Sequence, residues 1–118
     1  MQPALKTKFG KIILQDSLEF MRDQVKAESI DLIITSPPFG LVRKKDYGNV
    51  DADKYVQWFW PFAREFYRIL KPTGSFVLDI GGSWILGQPT RSLYHFELLM
   101  MLCREAKFHL AQEFYWWN

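Results

Sequence analysis

Apolar residues along the chain change their spacing several times, and each change marks an element. Met1 to Gly10 is basic and weakly patterned and reads as a solvated tail. Lys11-Ile12-Ile13-Leu14-Gln15 predicts a short buried strand, and Asp16-Ser17 offers an N-cap to a helix reaching about Lys26, with Leu18, Met21 and Val25 facing inward. Asp31-Leu32-Ile33-Ile34-Thr35 predicts a second buried strand. It runs straight into Ser36-Pro37-Pro38-Phe39-Gly40, where two prolines can continue neither a ladder nor a helix, so the chain must turn.

From Asp51 or Asp53 onward, Tyr55, Phe59, Phe62, Phe66 and Ile69 recur at three- and four-residue steps, the core stripe of a long helix. Pro61 lies within that stripe and predicts a kink or a break near Trp60. Leu70-Lys71-Pro72-Thr73-Gly74 carries the signals that end a helix, and Ser75-Phe76-Val77-Leu78-Asp79-Ile80 follows as another buried strand. Strand, long helix, strand describes one right-handed parallel crossover. A third helix opens at Arg91 to His95, capped by Thr90, with Leu99, Leu102, Cys103 and Ala106 inward, and the aromatic stretch Phe108 to Trp117 reads as a last strand. The fold class is therefore α/β.

Composition narrows the function classes. The chain has 118 residues, enough for one domain, and its 48% apolar and 17% aromatic content excludes a disordered segment. A net charge of +2 gives no global polyelectrolyte character, so a nucleic-acid contact would have to come from a local cluster such as Arg43, Lys44 and Lys45, which is otherwise a solvated surface. The single cysteine, Cys103, excludes an internal disulfide and suits a reducing compartment, where its commonest job is helix packing. Neither a signal peptide nor an apolar run long enough to span a bilayer is present, which points to a cytoplasmic protein. Metal-ligand spacing, a P-loop and a hydrolase triad are also absent, and His95 has no ligand partner in sequence and reads as structural or solvent-facing.

A buried strand ending in a rigid loop is how an open α/β sheet presents reactive groups at the carboxyl ends of its strands. The loop here carries one hydroxyl, Ser36, and one ring, Phe39, with carbonyls held by Pro37 and Pro38. Thr35-Ser36-Pro37-Pro38-Phe39 resembles the catalytic motif of DNA methyltransferases that modify exocyclic amines, Asp/Asn/Ser-Pro-Pro-aromatic, and serine in first place is typical of the cytosine-N4 enzymes. The likeness extends over residues 6 to 118, including Arg43-Lys44-Lys45, Tyr47-Gly48-Asn49, Gly74 to Trp84 and Glu113 to Asn118.

The resemblance implies a partial Rossmann-like methyltransferase sheet of about four strands and three helices, possibly completed by oligomerisation. It implies S-adenosylmethionine as cofactor and DNA as partner, in a restriction-modification setting. Ser36, Pro37, Pro38 and Phe39 would be catalytic: the Ser36 side chain and the Pro37 carbonyl accept from the cytosine amine, and Phe39 stacks on the flipped base. Asp16 and Thr35 would lie at the cofactor, although Asp16 serves equally as a helix cap and Gln15 stands where the family has glycine. Arg43, Lys44, Lys45 and Arg91 would meet phosphates. Gly81, Gly82 and Trp84 would line the base pocket, since Asp79-Ile80-Gly81-Gly82 follows the Leu-Lys-Pro turn and matches the family's second strand-end loop better than its cofactor loop.

The family's target-recognition region and its Phe-x-Gly-x-Gly cofactor motif are not found in the sequence, so residues 1–118 correspond to a truncated catalytic lobe. In the family sheet two strands from the missing part lie between Lys11-Gln15 and Asp31-Thr35; the strands present must pair anew or leave an edge open. Cytosine-N4 transfer could then need a complementing methyltransferase chain, and two other readings stand: adenine-N6 modification, and a non-catalytic remnant or interaction module that dimerises.

Overall fold

The computed structural model describes residues 3–40 and 54–117. They form β1 (Leu5–Lys6), β2 (Lys11–Ile12), α1 (Ser17–Gln24), β3 (Ile30–Thr35), α2 (Tyr55–Ile69), β4 (Leu70–Leu78) and α3 (Tyr94–Arg104). Four strands and three helices match the expected partial Rossmann-like content, and the strands divide into an antiparallel pair, β1–β2, and a parallel pair, β3–β4.

The antiparallel pair replaces two expectations. Leu5 lies opposite Ile12 and Lys6 opposite Lys11, so part of the supposed solvated tail is a strand, and the supposed buried strand at Lys11–Gln15 is exposed and only two residues long. A strand needs a ladder partner, and here the nearest partner is the segment just before it, returned by a turn in which Thr7 N donates to the Gly10 carbonyl at 2.7 Å.

Packing centres on α2. Tyr55, Phe59, Ala63, Phe66 and Ile69 are buried along one stripe and meet Tyr94, Leu98, Met101 and Leu102 of α3 and Met21 of α1. Each fully buried aromatic or leucine contributes roughly 1.5–3 kcal/mol relative to exposure. Leu18 and Val25 pack at the margin, and Arg68 of α2 donates from Nη2 to the Met21 carbonyl at 2.6 Å, tying the end of α1 to α2. The helix runs unbroken through Pro61 instead of breaking near Trp60. Pro61 is on the exposed side, as is Gln57, whose carbonyl loses the proline's missing donor and can turn to water. The start expected at Asp51 or Asp53 lies outside the described residues.

Beyond Ile69 the chain enters β4 at once. Ile30 pairs with Leu70 and Leu32 with Ser75, so Asp31 faces a four-residue bulge, Lys71 to Gly74, in place of the simple turn expected there. The Lys71 ammonium lies 3.0 Å from the Asp31 carboxylate, and Gly74 is crowded: a Cβ there would meet Leu70 Cδ2 at 2.9 Å, the Lys71 carbonyl at 3.0 Å and the Asp31 carbonyl at 3.1 Å. Past the bulge the ladder is regular, from Leu32–Ser75 to Thr35–Leu78. Ile33, Phe76 and Leu78 pack toward α2, whereas Leu32, Ile34 and Val77 face outward and are exposed.

α3 begins at Tyr94, three residues later than expected, and Ser92 Oγ, not Thr90, accepts a backbone N–H at its start, from Tyr94 at 3.2 Å. Leu98 and Met101 take the innermost places with Leu102 and Ala106, while Leu99 and Cys103 are only half-buried. Lys107 turns the chain with φ of 71°, and Phe108 anchors against Tyr67 and Phe76. Residues 109–117 then run on without a ladder partner among the described residues, so the last strand expected at Phe108–Trp117 is not formed. Alternating aromatics favour a strand but cannot make one alone. Among the described residues no helix is long and apolar enough to cross a membrane.

His95, in the first turn of α3, lies against Gly82 with its Nδ1 buried and without a hydrogen bond among the described residues. Burial first, and the Arg91 charge second, hold its pKa below the ordinary 6.5.

Two outcomes follow from this packing. Gly74→Ala should destabilise the fold by about 1–3 kcal/mol, because backbone atoms cannot move aside cheaply, while Gly10→Ala, with only Thr7 Oγ1 near at 3.8 Å, should be nearly neutral; urea unfolding midpoints compare them. The unfolded chain takes up the His95 proton at higher pH than the folded chain does. Stability from this group is therefore present above about pH 6.5 and is lost as pH falls through the lowered folded value. His95→Gln should flatten that loss, narrowing the change in unfolding midpoint between about pH 7.5 and about pH 5.

Candidate active site

The parallel ladder of β3 and β4 brings two strand ends side by side. Its last bond runs from the Asp79 amide to the Thr35 carbonyl at 3.0 Å, so the residue after each strand leaves the sheet at the same level. Ser36 follows Thr35, and the Ser36 hydroxyl donates to Asp79 Oδ2 at 3.0 Å. An ionised carboxylate only accepts, so the hydroxyl proton is committed to Asp79 and the serine oxygen keeps its lone pairs for another donor. Both side chains are exposed. The Pro37 carbonyl accepts no hydrogen bond among the described residues, whereas the Pro38 carbonyl is taken by the Tyr55 hydroxyl at 2.5 Å.

Tyr55 and Tyr94 hold the two loops from below. Their rings are buried and lie 4.9 Å apart, one at the start of α2 and one at the start of α3. Tyr94 donates to the Gly81 carbonyl as Tyr55 does to that of Pro38, so each loop is fixed by a helix. Burial pushes both phenols up from their ordinary value, Tyr55 the further; for Tyr94 the Gly40 backbone amide opposes this more weakly. Neither tyrosine ionises near neutral pH, and both remain donors.

The half-buried Phe39 ring lies directly over Gly81: a Cβ at Gly81 would sit 2.8 Å from Phe39 Cε2. Gly82 is pressed on the other side by His95, whose Cε1 would be 3.1 Å from an added Cβ. A side chain at Gly81 would force the Phe39 ring to shift, and one at Gly82 would press on His95. Trp84 follows on an antiparallel bridge to Arg91, whose guanidinium carbon is 4.5 Å from the centre of the indole. Of the residues expected at a site, the structure brings together Ser36, Pro37, Pro38, Phe39, Gly81 and Gly82, with Trp84 and Arg91 paired just beyond.

Asp16 is on another part of the molecule's framework. Its Oδ1 accepts from the Glu19 amide at 3.0 Å and caps α1, the structural one of its two expected jobs, and the adjoining Gln15 Oε1 is buried with no partner among the described residues. Thr35 is half-buried and contributes its carbonyl to the Asp79 amide. Arg43, Lys44 and Lys45 lie outside the described residues. A separate cleft of about 370 Å³ between α2 and α3 is lined by Val56, Leu93, Phe96, Met100 and Arg104 among others, and includes none of the strand-end residues. The described residues contain no cluster of His, Cys, Asp and Glu fit for a metal ion.

Asp79 and the two tyrosines were not singled out as site residues by the sequence reading. The signal for Asp79 was available: it ends the strand after the crossover, level with Ser36 once the parallel register is drawn. Tyr55 and Tyr94 were indistinguishable from core aromatics, because a hydroxyl's partner cannot be read from helical spacing.

Comparison with known proteins agrees with this geometry. The DNA methylase family profile for N6 and N4 enzymes matches residues 30–118. Type II methyltransferase M.PvuII of Proteus hauseri is 47% identical over 117 residues, spanning 99% of this chain and 34% of that protein. Type II methyltransferase M.BamHI of Bacillus amyloliquefaciens is 36% identical over 84 residues, 68% of this chain and 20% of that protein. The solved structure of PvuII DNA methyltransferase (cytosine-N4-specific) superposes with a TM-score of 0.83 at 46% identity, over 98% of this chain and 41% of that one. The chain therefore spans about a third of the length of its curated relative, and over that span it belongs to the N6/N4 family of DNA methylases.

Proposed function

We propose that this chain is the catalytic lobe of a cytosine-N4 DNA methyltransferase, acting on a base turned out of duplex DNA. The observation that carries the reading is the Ser36–Asp79 hydrogen bond at the paired ends of β3 and β4. A cytosine amine is a weak nucleophile because its lone pair is delocalised into the ring. With its hydroxyl proton donated in a hydrogen bond to Asp79, the Ser36 oxygen accepts one amine hydrogen, and the Pro37 carbonyl accepts the other. Both bonds favour a pyramidal nitrogen with its lone pair free. Phe39, backed by Gly81, offers a face for the base, and base–aromatic stacking of roughly 1–3 kcal/mol offsets part of the cost of unstacking. As the nitrogen gains a methyl group it must lose one proton, which passes to Ser36 Oγ while the serine proton passes to Asp79.

S-adenosylmethionine, when bound, supplies the methyl group on an electrophilic sulfonium. The residues present suit one end of it: Gln15 Oε1, buried without a partner among the described residues and next in sequence to Asp16, is an acceptor fit for an adenine amine, and Thr35, at the end of β3, is assigned to the cofactor with it. Phe-x-Gly-x-Gly, which would hold the rest, does not occur in the sequence. We assign that part, and the reading of the DNA sequence, to methyltransferase sequence outside residues 1–118, which would also cover Leu32, Ile34 and Val77 on the outer face of the sheet. Arg43, Lys44, Lys45 and Arg91 are assigned to phosphates, Trp84 to the pocket rim, and the setting is a cytoplasmic restriction-modification system.

The same uncovered face and the exposed Phe114, Tyr115 and Trp117 favour a second reading, a non-catalytic module that dimerises. Mixing the chain with the C-terminal portion of M.PvuII, and following labelled methyl groups into DNA, separates the two. Ser36→Ala and Asp79→Ala should each lower transfer by about 10²-fold or more while DNA affinity changes little. Equal loss of transfer and affinity would remove the assigned roles, N6-methyladenine as product would mark the adenine reading, and a dimer with no transfer under any pairing would favour the module.

A further inference from the structure

Residues 84–91 form an exposed hairpin whose tip, between Trp84 and Arg91, the assignment above leaves unused. Its base is the Trp84–Arg91 bridge with the guanidinium stacked on the indole, and the Ser92 amide donates to the Ser83 carbonyl at 2.7 Å just beneath. The Ile85 amide donates to the Thr90 carbonyl at 2.9 Å and the Gln88 amide to the Ile85 carbonyl at 3.2 Å, closing a tight tip in which Gly87 adopts φ of 74°. Leu86 stands on that tip, 81% exposed, and nothing lies within 4 Å of a Cβ built at Gly87. An isolated exposed leucine is ordinary. A leucine on an internally braced tip, with a cation stacked at its foot and five residues from the glycine under Phe39, is a different matter. Those five residues can extend at most about 18 Å, less than the width of a duplex.

Extruding a base leaves an apolar gap in the stack, and side chains such as leucine commonly enter base steps from a groove. We infer that the 84–91 hairpin enters duplex DNA at the target site, with Leu86 filling the space vacated by the extruded base and Arg91 held by Trp84 to meet the flanking phosphate. The inference rests on the methyltransferase reading, and it assigns the hairpin to DNA and not to a protein partner. The positive charge at its foot favours DNA, and the braced backbone lets the leucine enter without ordering a loop at the moment of binding.

The test uses the 118-residue chain and two short duplexes, measured by fluorescence anisotropy at low salt. One duplex is intact; the other carries an abasic position that mimics the vacated site. The wild type should bind the abasic duplex about tenfold more tightly. Leu86→Ala should abolish that preference while keeping the affinity for intact DNA, and Leu86→Met should retain it. Equal binding of both duplexes by the wild type, a preference that survives Leu86→Ala, or no binding to either duplex would overturn the inference. So would a Leu86→Ala effect confined to assembly with a complementing chain, which would place the leucine at a protein interface. None of these readouts involves methyl transfer, so they fail separately from the role of Ser36.

Discussion

The parallel register of β3 on β4 is the constraint from which the site follows. Parallel strands cannot be joined by a tight turn, so the chain must cross over, and α2 is that crossover. The crossover sets the register, and the register sets which residues emerge together at the carboxyl end. Shifting β4 by one residue would reverse its faces, turning Phe76 and Leu78 outward and carrying Asp79 away from Ser36. The bulge at Lys71–Gly74 is therefore part of the site's geometry although it lies at the opposite end of the sheet. It absorbs the mismatch between the helix exit at Leu70 and the strand pairing that starts at Ser75, and it is possible only because Gly74 lets Asp31's backbone pass.

A second layer of constraint comes from the helices. Loop carbonyls at a strand end have few local donors, and an unsatisfied carbonyl under a packed aromatic layer is costly. Tyr55 and Tyr94 solve this for Pro38 and Gly81, and their ring contact couples the two loops through the core. The donors are spent on Pro38 and Gly81, leaving the Pro37 carbonyl and the Ser36 oxygen directed elsewhere. Phe39 is held by what is missing beneath it: Gly81 has no side chain, so the ring rests on backbone.

Much of this was legible in the sequence because it depends on local pattern. The strand into Ser36-Pro37-Pro38-Phe39, the apolar stripe of α2 and the strand into Asp79 each announce themselves through period and through residues that cannot continue an element. Errors arose where pairing decides the outcome. Lys11–Gln15 has the composition of an inner strand, yet among the described residues it pairs with Leu5–Lys6 alone, and both paired segments lie exposed. Phe108 to Trp117 has strand composition and no ladder partner among the described residues. Thr90 was as good a cap as Ser92 by residue type, and the hairpin bond from Ile85 to the Thr90 carbonyl, which places Thr90 in the hairpin instead, is not visible in one dimension. At the site, Ser36 could be named as an acceptor from its motif, but a hydroxyl is donor and acceptor alike; only the Asp79 contact says which way its proton points.

The half-covered sheet explains why such a site can be preformed on so small a piece of a family fold. Leu32, Ile34 and Val77 lack cover, so the outer face of the sheet gains little from burial. The inner face, however, is complete: Ile33, Phe76 and Leu78 pack on the aromatic stripe of α2, and that stripe is closed by α1 and α3. Among the described residues, the hydrogen bonds that fix the Pro38 and Gly81 carbonyls come from this inner side, from Tyr55 and Tyr94, while Ser36 is held at the strand ends by the exposed Asp79. The loops that carry Phe39 and Gly81 are thus anchored by tyrosines that do not depend on the uncovered face. Whatever covers that face, the loops bearing Pro38 and Gly81 are already fixed by Tyr55 and Tyr94 from the complete inner side.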